Sequence, residues 1–450
     1  MLKSSRRNFL KSTAVAGAGI VLMSNLQAGE SPNEKINFAA IGVSGKGSSD
    51  TADAANSGAL VAICDVDKGR LGGAKNRYKD AVEFTDFREM FDKMGDKIDA
   101  FTCSTPDHMH APACLMGMRL GKHCFCQKPM TRTIYEARLM TQVAKDKRCC
   151  TQMGNHGTAF DSLRYCESLI KGGFLGDVKE VHTWCNRPIW PQGKPRPEAA
   201  PVPENLDWGK WLGVAPERPY APGYHPFAWR GWWDFGTGAL GDMACHQFNM
   251  PYAACDLADP VSVQATSSGH NFDSYPSWSV IDFVFPATDK RGEVKASWYD
   301  GGKKIDEKIM ANIGPIGSSG TLIVGSKVIL FAPGDHVGEV FLKDAKTYET
   351  IKNPECEFDR SPGHFQEWVN HIKGGFDSKP GKANFITYAG KLTETILLGN
   401  LAVYGAPEAD VKGELVQWDA ANMKITNDPK NKAALELIVH PKYRGEYKLD

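Results

Sequence analysis

The stretch Ile36–Asp50, "INFAAIGVSGKGSSD", decides the fold. An apolar run ends at Gly42, and Gly45 and Gly47 follow before a segment of small residues that predicts a helix. Glycines in this order let a strand turn tightly into a helix whose N-terminus faces a phosphate group. Gly42 and Gly47 keep the first and third positions of the G-x-G-x-x-G pattern, whereas Ser44 holds the second. We therefore predict a dinucleotide-binding turn in which Gly45 takes over part of the middle glycine's role.

Strand-like and helical runs alternate around this turn. The apolar runs are "ALVAICD", "VEFTD", "DAFTCST", "HCFCQKP" and "RCCTQMGN", with helical stretches between them. Buried strands that alternate with helices indicate a parallel sheet covered on both faces. Right-handed crossovers then give a doubly wound, Rossmann-type domain, which we place at residues 35–155.

The pattern changes after Gly154. The segments "DVKEVHTWCN", "PVSVQATSS", "WSVIDFVF", "VKASWYDG" and "GEVFLKD" alternate between apolar and polar residues, as antiparallel strands with one open face do. Two helical segments near the end, "HFQEWVNHIKGG" and "FITYAGKLTETILLGNLAVYG", are expected to pack on the sheet. We predict an α+β domain at residues 156–450, with a large and mainly antiparallel open sheet.

The first 28 residues differ from the rest of the chain. Arg6 and Arg7 precede Asn-Phe-Leu-Lys, and an apolar run extends from Ala14 to Met23. This run is too short to cross a bilayer as a mature helix. The order is typical of a twin-arginine signal peptide, with cleavage near Ala28. We predict a periplasmic or otherwise exported protein with no stable membrane span after cleavage.

Composition excludes some partners. The chain has 53 basic and 53 acidic residues, and this balance gives no support to binding of nucleic acid. The chain has 12 cysteines, which we interpret as buried free thiols because several fall in apolar strands. The pair Cys124 and Cys126 lacks the spacing of a zinc knuckle, so we predict no metal.

Asp65 ends the second predicted strand, where an acidic side chain meets the ribose hydroxyls of a dinucleotide. A carboxylate here favours NAD over NADP, because it repels a 2′-phosphate. Lys68 and Arg70 follow closely and leave NADP open. The alternative is that Asp65 only caps the next helix.

The segment "STPDHMHAPA" follows the fourth strand directly. Ligands of open α/β sheets bind at the carboxyl ends of the strands. We therefore expect Ser104, Thr105, Pro106 and His110 to lie beside a nicotinamide. The alternative for His110 is a packed core residue.

The fifth strand ends in "HCFCQKPMT". Lys128 precedes a proline, which restricts it to extended backbone geometry. It is expected to lie at the carboxyl ends of the strands, next to the segment that follows the fourth strand. A lysine beside a hydride-transfer site stabilises the alkoxide that forms there. Gln127 and Lys128 are predicted to contact the cofactor, and a surface turn is the alternative.

Asp242 and His246 lie four residues apart in "GTGALGDMACHQFNM", on one face of a predicted helix. Histidine is the natural base for a hydroxyl proton at neutral pH. Asp242 would fix the tautomer of His246 or bind a second hydroxyl. The alternative is a purely structural pair.

Taken together, the glycine turn, T-P-x-x-x-H, K-P and D-x-x-x-H resemble the Gfo/Idh/MocA oxidoreductase family. The resemblance implies bound NAD, a homo-oligomer, and catalysis by Lys128, Asp242 and His246. The family's usual motif is Glu-Lys-Pro, whereas this chain has Gln127 in place of the glutamate.

The substrate class is predicted from the tryptophan-rich stretch at residues 208–236 and from the end of the sixth strand. Trp229 and Trp232 would stack on a sugar ring and Arg230 would bind its hydroxyls, although a tryptophan-rich core is the alternative. Asn155 and His156 are expected to line the crevice.

The predicted reaction moves a hydride from a sugar or glycoside hydroxyl to NAD, with a 3-keto sugar as one candidate product. An NAD-dependent redox glycosidase, which shows no net oxidation, is the first alternative. A non-catalytic sugar- or cofactor-binding scaffold is the second.

Overall fold

The computed structural model describes residues 35–445, 447 and 449. The predicted signal peptide, residues 1–28, lies outside the described residues. Within the described part of the chain, none of the helices combines the length and the apolar character that a bilayer crossing requires.

The first sheet is parallel and has six strands in the order β3-β2-β1-β4-β5-β6. Its strands are β1 (Asn37–Ile41), β2 (Ala59–Cys64), β3 (Val82–Phe84), β4 (Ala100–Cys103), β5 (His123–Cys126) and β6 (Thr151–Met153). The helices between them are α1 (Lys46–Ser57), α2 (Lys68–Arg77), α3 (Phe87–Met94), α4 (His110–Arg119) and α5 (Ile134–Asp146). The strand order reverses between β1 and β4, which opens a crevice at their carboxyl ends. The predicted Rossmann-type sheet is confirmed.

Side-chain caps decide where several of these helices begin. Asp67 accepts hydrogen bonds from the first turn of α2, and Asp86 does the same for α3. Thr133 and Glu136 form a complete capping box at the start of α5. These caps satisfy backbone N–H groups that have no partner within the helix, and so they fix the residue at which each helix begins.

The second sheet has ten strands in the order β14-β13-β12-β11-β7-β10-β9-β8-β15-β16. They are β7 (Val178–Trp184), β8 (Ser262–Ser267), β9 (Ser279–Phe285), β10 (Val294–Tyr299), β11 (Gly320–Gly325), β12 (Val328–Pro333), β13 (Phe341–Asp344), β14 (Thr350–Ile351), β15 (Val416–Asp419) and β16 (Lys424–Ile425). Neighbouring strands are antiparallel except for β7 and β10, which run parallel. Buried and half-buried residues alternate along β8 and β9, as expected for a sheet with one covered face.

The remaining α-helices of the described residues follow β6 in the chain. They are α6 (Asp161–Lys171), α7 (Trp208–Leu212), α8 (Gly238–Gln247), α9 (Asn249–Cys255), α10 (Glu307–Met310), α11 (His364–Gly374), α12 (Gly390–Tyr404) and α13 (Lys432–Val439). As expected, α12 packs against β8 and β9. The α+β architecture with a large, mainly antiparallel sheet, predicted for this part of the chain, is confirmed.

Helix α11 packs on the first sheet and not on the second. Its Trp368 ring lies 5.7 Å from the Phe38 ring and 5.6 Å from the Phe125 ring. The indole N–H of Trp368 donates a 2.9 Å hydrogen bond to the carbonyl of Cys150. A late segment of the chain therefore completes one face of the Rossmann-type sheet, and the domain boundary at residue 155 stays a prediction.

All twelve cysteines are free thiols, and eleven of them are buried. The sulfur atoms of Cys103, Cys114 and Cys126 lie within 4.8 Å of one another, a spacing that a shared metal ion could bridge. The Cys126 thiol donates a 3.6 Å hydrogen bond to the carbonyl of Met130. The interpretation as buried free thiols is confirmed, and the absence of a metal stays a prediction.

Candidate active site

A cavity of about 540 Å³ opens at the carboxyl ends of the parallel strands. Most of the predicted site residues line it: Gly42, Ser44, Gly45, Asp65, Ser104, Thr105, Pro106, His110, Gln127, Lys128, His156, Trp229, Arg230, Asp242 and His246. Gly47, Asn155 and Trp232 do not. The cavity has a cofactor half beside the glycine turn and a substrate half beside Lys128.

The glycine turn fits a dinucleotide. A Cβ on Gly42 would lie 2.6 Å from the Ser104 carbonyl, and a Cβ on Gly47 would lie 1.9 Å from the Gly42 carbonyl. Gly45 has φ +58° and nothing within 4 Å of its missing Cβ. The first and third glycines therefore pack the backbone tightly, while Gly45 leaves the open approach that a diphosphate needs.

Asp65 does not cap a helix. Its Oδ2 accepts a 3.1 Å hydrogen bond from the Val43 N–H, and its Oδ1 accepts a 3.0 Å bond from the Asp67 N–H. Asp67 is the residue that caps α2. Burial raises the pKa of Asp65. The carboxyl group is tied to the glycine turn and borders the cavity, which fits the predicted ribose contact.

The segment 203–236, here called the aromatic segment, lies against the end of β2. The Asn205 side chain donates a 2.7 Å hydrogen bond to Asp67, and the His225 Nε2 lies 3.0 Å from the same carboxylate. Trp229 from this segment borders the cavity. Trp232 is only 4% exposed and packs in an aromatic cluster, so its predicted role in substrate binding is wrong.

Lys128 and Asp242 form the centre of the substrate half. The Lys128 Nζ donates a 2.7 Å hydrogen bond to the Asp242 Oδ1 and a 2.9 Å bond to the Asp242 carbonyl oxygen. The Arg230 Nε lies 3.3 Å from the same carboxylate. Burial acts to raise the pKa of Asp242, but Lys128 and Arg230 outweigh it and the net shift is downward. A charged carboxylate therefore holds the lysine in place.

His246 lies one turn beyond Asp242 on α8, as predicted, but the two side chains are not paired. Asp242 contacts Lys128, and the His246 Nδ1 is buried with no hydrogen-bond partner among the described residues. The prediction that Asp242 orients His246 is wrong because the lysine competes for the carboxylate. Burial, and next the charge of Lys128, lower the pKa of His246 well below its usual value. The lowered pKa favours the neutral imidazole, which is the form that can accept a proton.

Two further histidines surround His246. The His336 ring lies 4.6 Å from the His246 ring and 5.0 Å from the His156 ring. Burial lowers the pKa of both His156 and His336. Sequence reasoning missed His336 because it follows β12 in a glycine-rich turn that carries no motif.

Arg187 is a second residue that sequence reasoning missed. Its guanidinium lies 4.0 Å from the Asp242 carboxylate and 3.7 Å from the Asp335 carboxylate. It follows β7 in a proline-rich loop whose composition indicates only a turn. The substrate half therefore holds three cations around Asp242.

The other predicted residues near the nicotinamide end have supporting positions. The His110 ring nitrogens lie 2.8 Å from the Thr105 carbonyl and 2.9 Å from the Pro129 carbonyl, so this histidine braces the loop after β4 against the loop after β5. Asn155 is fully buried and its predicted place in the cavity lining is wrong. Its neighbours Gly154 and His156 line the cavity instead.

Comparison with family models matches two parts of this fold. Residues 36–155 match the model described as "Oxidoreductase family, NAD-binding Rossmann fold", and residues 167–290 match "Oxidoreductase family, C-terminal alpha/beta domain". The chain belongs to the Gfo/Idh/MocA oxidoreductase family. Residues 3–23 match the twin-arginine translocation signal, which indicates export. The predicted family, its NAD cofactor and the export signal are confirmed.

Curated relatives of this family member align over part of their length. Levoglucosan dehydrogenase of Pseudarthrobacter phenanthrenivorans is 25% identical over 171 residues, 37% of this chain and 35% of the relative. A glycosyl hydrolase family 109 protein of Shewanella baltica is 28% identical over 204 residues, 38% of this chain and 44% of the relative. The chain therefore spans less than half the length of these relatives.

Solved structures of the same architecture cover nearly their whole chains. The WlbA dehydrogenase of Bordetella pertussis, in complex with NADH and UDP-GlcNAcA, has a TM-score of 0.57 at 16% identity over 84% of this chain and 98% of that chain. Aldose-aldose oxidoreductase of Caulobacter crescentus has a TM-score of 0.56 at 15% identity over 85% of this chain and 100% of that chain. At these identities the likeness establishes the fold.

Proposed function

We propose that the protein is an exported NAD-dependent oxidoreductase that oxidises a hydroxyl group of a sugar or glycoside. The observation that carries this proposal is the meeting of Lys128, Asp242 and His246 in one cavity with the glycine turn. The cofactor half fits a dinucleotide, and the substrate half holds a base and a cation. Oxidation of an alcohol requires a hydride acceptor, which the cofactor half would hold, and a base for the proton, which the substrate half contains.

The glycine turn and Asp65 would hold NAD, which would supply the acceptor for the hydride on the carbon that carries the hydroxyl. Neutral His246 takes the hydroxyl proton, because its lowered pKa keeps the imidazole free at neutral pH. Lys128 donates a hydrogen bond to the oxygen on which negative charge develops. Asp242 holds the ammonium group through a 2.7 Å ion pair and so fixes the position of that donor.

The substrate class follows from the side chains opposite Lys128. The Arg230 guanidinium stacks on Trp229 at 4.4 Å and donates hydrogen bonds to Asp107 at 2.9 and 3.0 Å. An aromatic face beside a fixed cation suits the apolar face and the hydroxyls of a sugar ring. Relatives named levoglucosan dehydrogenase and aldose-aldose oxidoreductase support the same class.

The histidine cluster favours a redox glycosidase as the second candidate. Oxidation of a ring hydroxyl makes the neighbouring C–H bond acidic, and loss of that proton allows the aglycone to leave. His246 is then already protonated, so a second base is required. The rings of His156 and His336 lie 5.5 and 4.6 Å from the His246 ring, and burial lowers the pKa of both, which favours the neutral form that can act as a base. The relatives named glycosyl hydrolase family 109 support this candidate.

Location and assembly complete the proposal. The match to the twin-arginine signal supports export, and we propose that the mature protein, cleaved near Ala28, is periplasmic. We infer a homo-oligomer from the family resemblance.

The test uses the purified mature protein. Any bound nucleotide is released by denaturation and identified, and the protein is then incubated with aldoses and 4-nitrophenyl glycosides. Formation of NADH with a keto-sugar supports the dehydrogenase. Release of 4-nitrophenol without net NADH supports the glycosidase. Absence of bound nucleotide, with no uptake of added NAD, would overturn both.

A further inference from the structure

One buried carboxylate joins the three chain segments that form the nicotinamide end of the cavity. Asp50 lies in the first turns of α1 and is only 1% exposed. Its Oδ1 accepts a 2.6 Å hydrogen bond from the Lys46 ammonium. Its Oδ2 accepts a 2.7 Å bond from the Ser104 hydroxyl and a 2.8 Å bond from the Gln127 Nε2. Asp50 therefore ties the ends of β4 and β5 to the helix that begins at the glycine turn.

The Gln127 side chain is fixed on both of its polar atoms. Its Nε2 donates to Asp50, and its Oε1 accepts a 3.3 Å hydrogen bond from the Lys128 N–H. Gly154 leaves the room for this amide, since a Cβ there would lie 2.4 Å from the Gln127 Nε2. The orientation of the amide is thus determined: its donor faces the carboxylate, and its acceptor faces the backbone that carries Lys128.

A glutamate could not make both contacts. In place of the amide N–H it would set a second carboxylate oxygen about 2.8 Å from the Asp50 Oδ2. Two carboxylates this close cannot both be ionised. The departure from the family's Glu-Lys-Pro motif is therefore explained by Asp50, which already supplies the negative charge.

We propose that Asp50 is a positioning residue of the cofactor site, which supplies from α1 the carboxylate that the family carries at position 127, with Gln127 as its required neutral partner. Asp50 acts through two groups. It holds the Lys46 ammonium, which lines the cavity beside Gly45, and through Gln127 it fixes the start of the Lys128 segment. The link to NAD rests on the proposed function, whereas the pairing itself does not.

The test is a charge exchange across the 2.8 Å contact. Gln127→Glu and Asp50→Asn are each expected to weaken NAD binding about tenfold or more. Gln127→Glu sets a second carboxylate against Asp50, and Asp50→Asn removes the negative charge that holds the Lys46 ammonium. The double variant restores one carboxylate and one amide. It is expected to bind NAD within about threefold of the wild type, as coupled neighbours do. Binding is measured by equilibrium dialysis with NAD. The melting temperatures of the same four nucleotide-free proteins give a second double-mutant comparison.

The chain offers a matched control. The Gln142 amide donates a 2.7 Å hydrogen bond to the Asp146 carboxylate on the exposed face of α5. Gln142→Glu makes the same chemical change in solvent, where repulsion is screened, so both readouts should stay unchanged.

The outcomes separate this inference from the proposed function. Recovery in the double variant, in NAD affinity and in melting temperature, supports the pairing. Additive losses in both readouts overturn it, even when the wild type binds NAD. If the wild type binds no NAD, the proposed function fails, and the melting temperatures alone decide whether Asp50 and Gln127 are coupled. Recovery of melting temperature without recovery of NAD affinity would overturn the positioning role.

Discussion

The two halves of the cavity are built in different ways. The cofactor half consists of backbone at the ends of β1, β2 and β4, and its glycines leave no space for a methyl group at Gly42 or Gly47. The substrate half consists of side chains from the loop after β5, α8, the aromatic segment and the turn after β12. Shape therefore governs the glycine turn, and charge governs the surroundings of Asp242. Changes of volume at Gly42 or Gly47 should act on nucleotide binding, and changes of charge around Asp242 should act on turnover.

The largest expected effect is in the substrate half. Lys128→Met removes the cation that stabilises the developing alkoxide, and we expect turnover to fall about a thousandfold or more while NAD stays bound. Turnover of the best sugar from the panel and NAD binding by dialysis are measured together. Lys391→Met is the control, because Lys391 forms a partly exposed 2.8 Å ion pair with Asp259 far along the chain. Undiminished turnover of the Lys128 variant would remove the lysine from the mechanism.

The next effect tests the cofactor half by volume alone. Gly47→Ala places a methyl group 1.9 Å from the Gly42 carbonyl, so α1 must shift and NAD affinity should fall about a hundredfold. Gly72→Ala on α2 meets nothing within 4 Å and is the control. That control should keep its affinity and gain about 0.5–1 kcal/mol of stability from the loss of backbone freedom in the unfolded chain. Equal affinities for the two variants would contradict tight packing at the turn.

The third prediction concerns pH. Burial lowers the pKa of His246 well below the usual histidine value, so the base stays neutral in mildly acidic solution. The acid limb of kcat/KM should therefore lie below the ordinary histidine pKa of ~6.5. The measurement is kcat/KM from neutral to acidic pH, with folding monitored by circular dichroism. An acid limb at or above the ordinary value would rule out buried His246 as the base.

The smallest effect concerns the aromatic segment. Asp67→Asn weakens the contacts of that segment with the loop after β2, where Asn205 and His225 meet the same carboxylate. NAD should dissociate severalfold faster, with little change in turnover at saturating NAD. Stopped-flow displacement of NADH measures the rate. An unchanged dissociation rate would show that the segment does not restrain the nucleotide.

Local sequence signals were enough to find residues that meet in the cofactor half. A glycine turn, a strand-end aspartate and buried strands are contiguous signals, and Gly42, Gly45 and Asp65 line one cavity in the structure. The errors lie where residues distant in sequence compete. The sequence predicts that Asp242 pairs with His246 one turn away, but Lys128 from the loop after β5 takes the carboxylate.

Residues without a motif could not be predicted. His336 and Arg187 follow strands of the second sheet in turns of ordinary composition, and only the packing of that sheet brings them to Asp242 and His246. Asp50 belongs to no motif, and only the fold brings Gln127 against it. Trp232 shared its composition signal with Trp229, and burial alone separates the two.

The central claim, that a carbon-bound hydrogen of a sugar moves to NAD in this cavity, has one direct test. The protein is loaded with NAD and incubated with aldoses and glycosides that carry deuterium on carbon. The nucleotide is then released, and its mass is determined by mass spectrometry. The account predicts deuterium in the nucleotide, and none in the Lys128→Met variant. Unlabelled nucleotide from the wild type with every sugar would contradict the account.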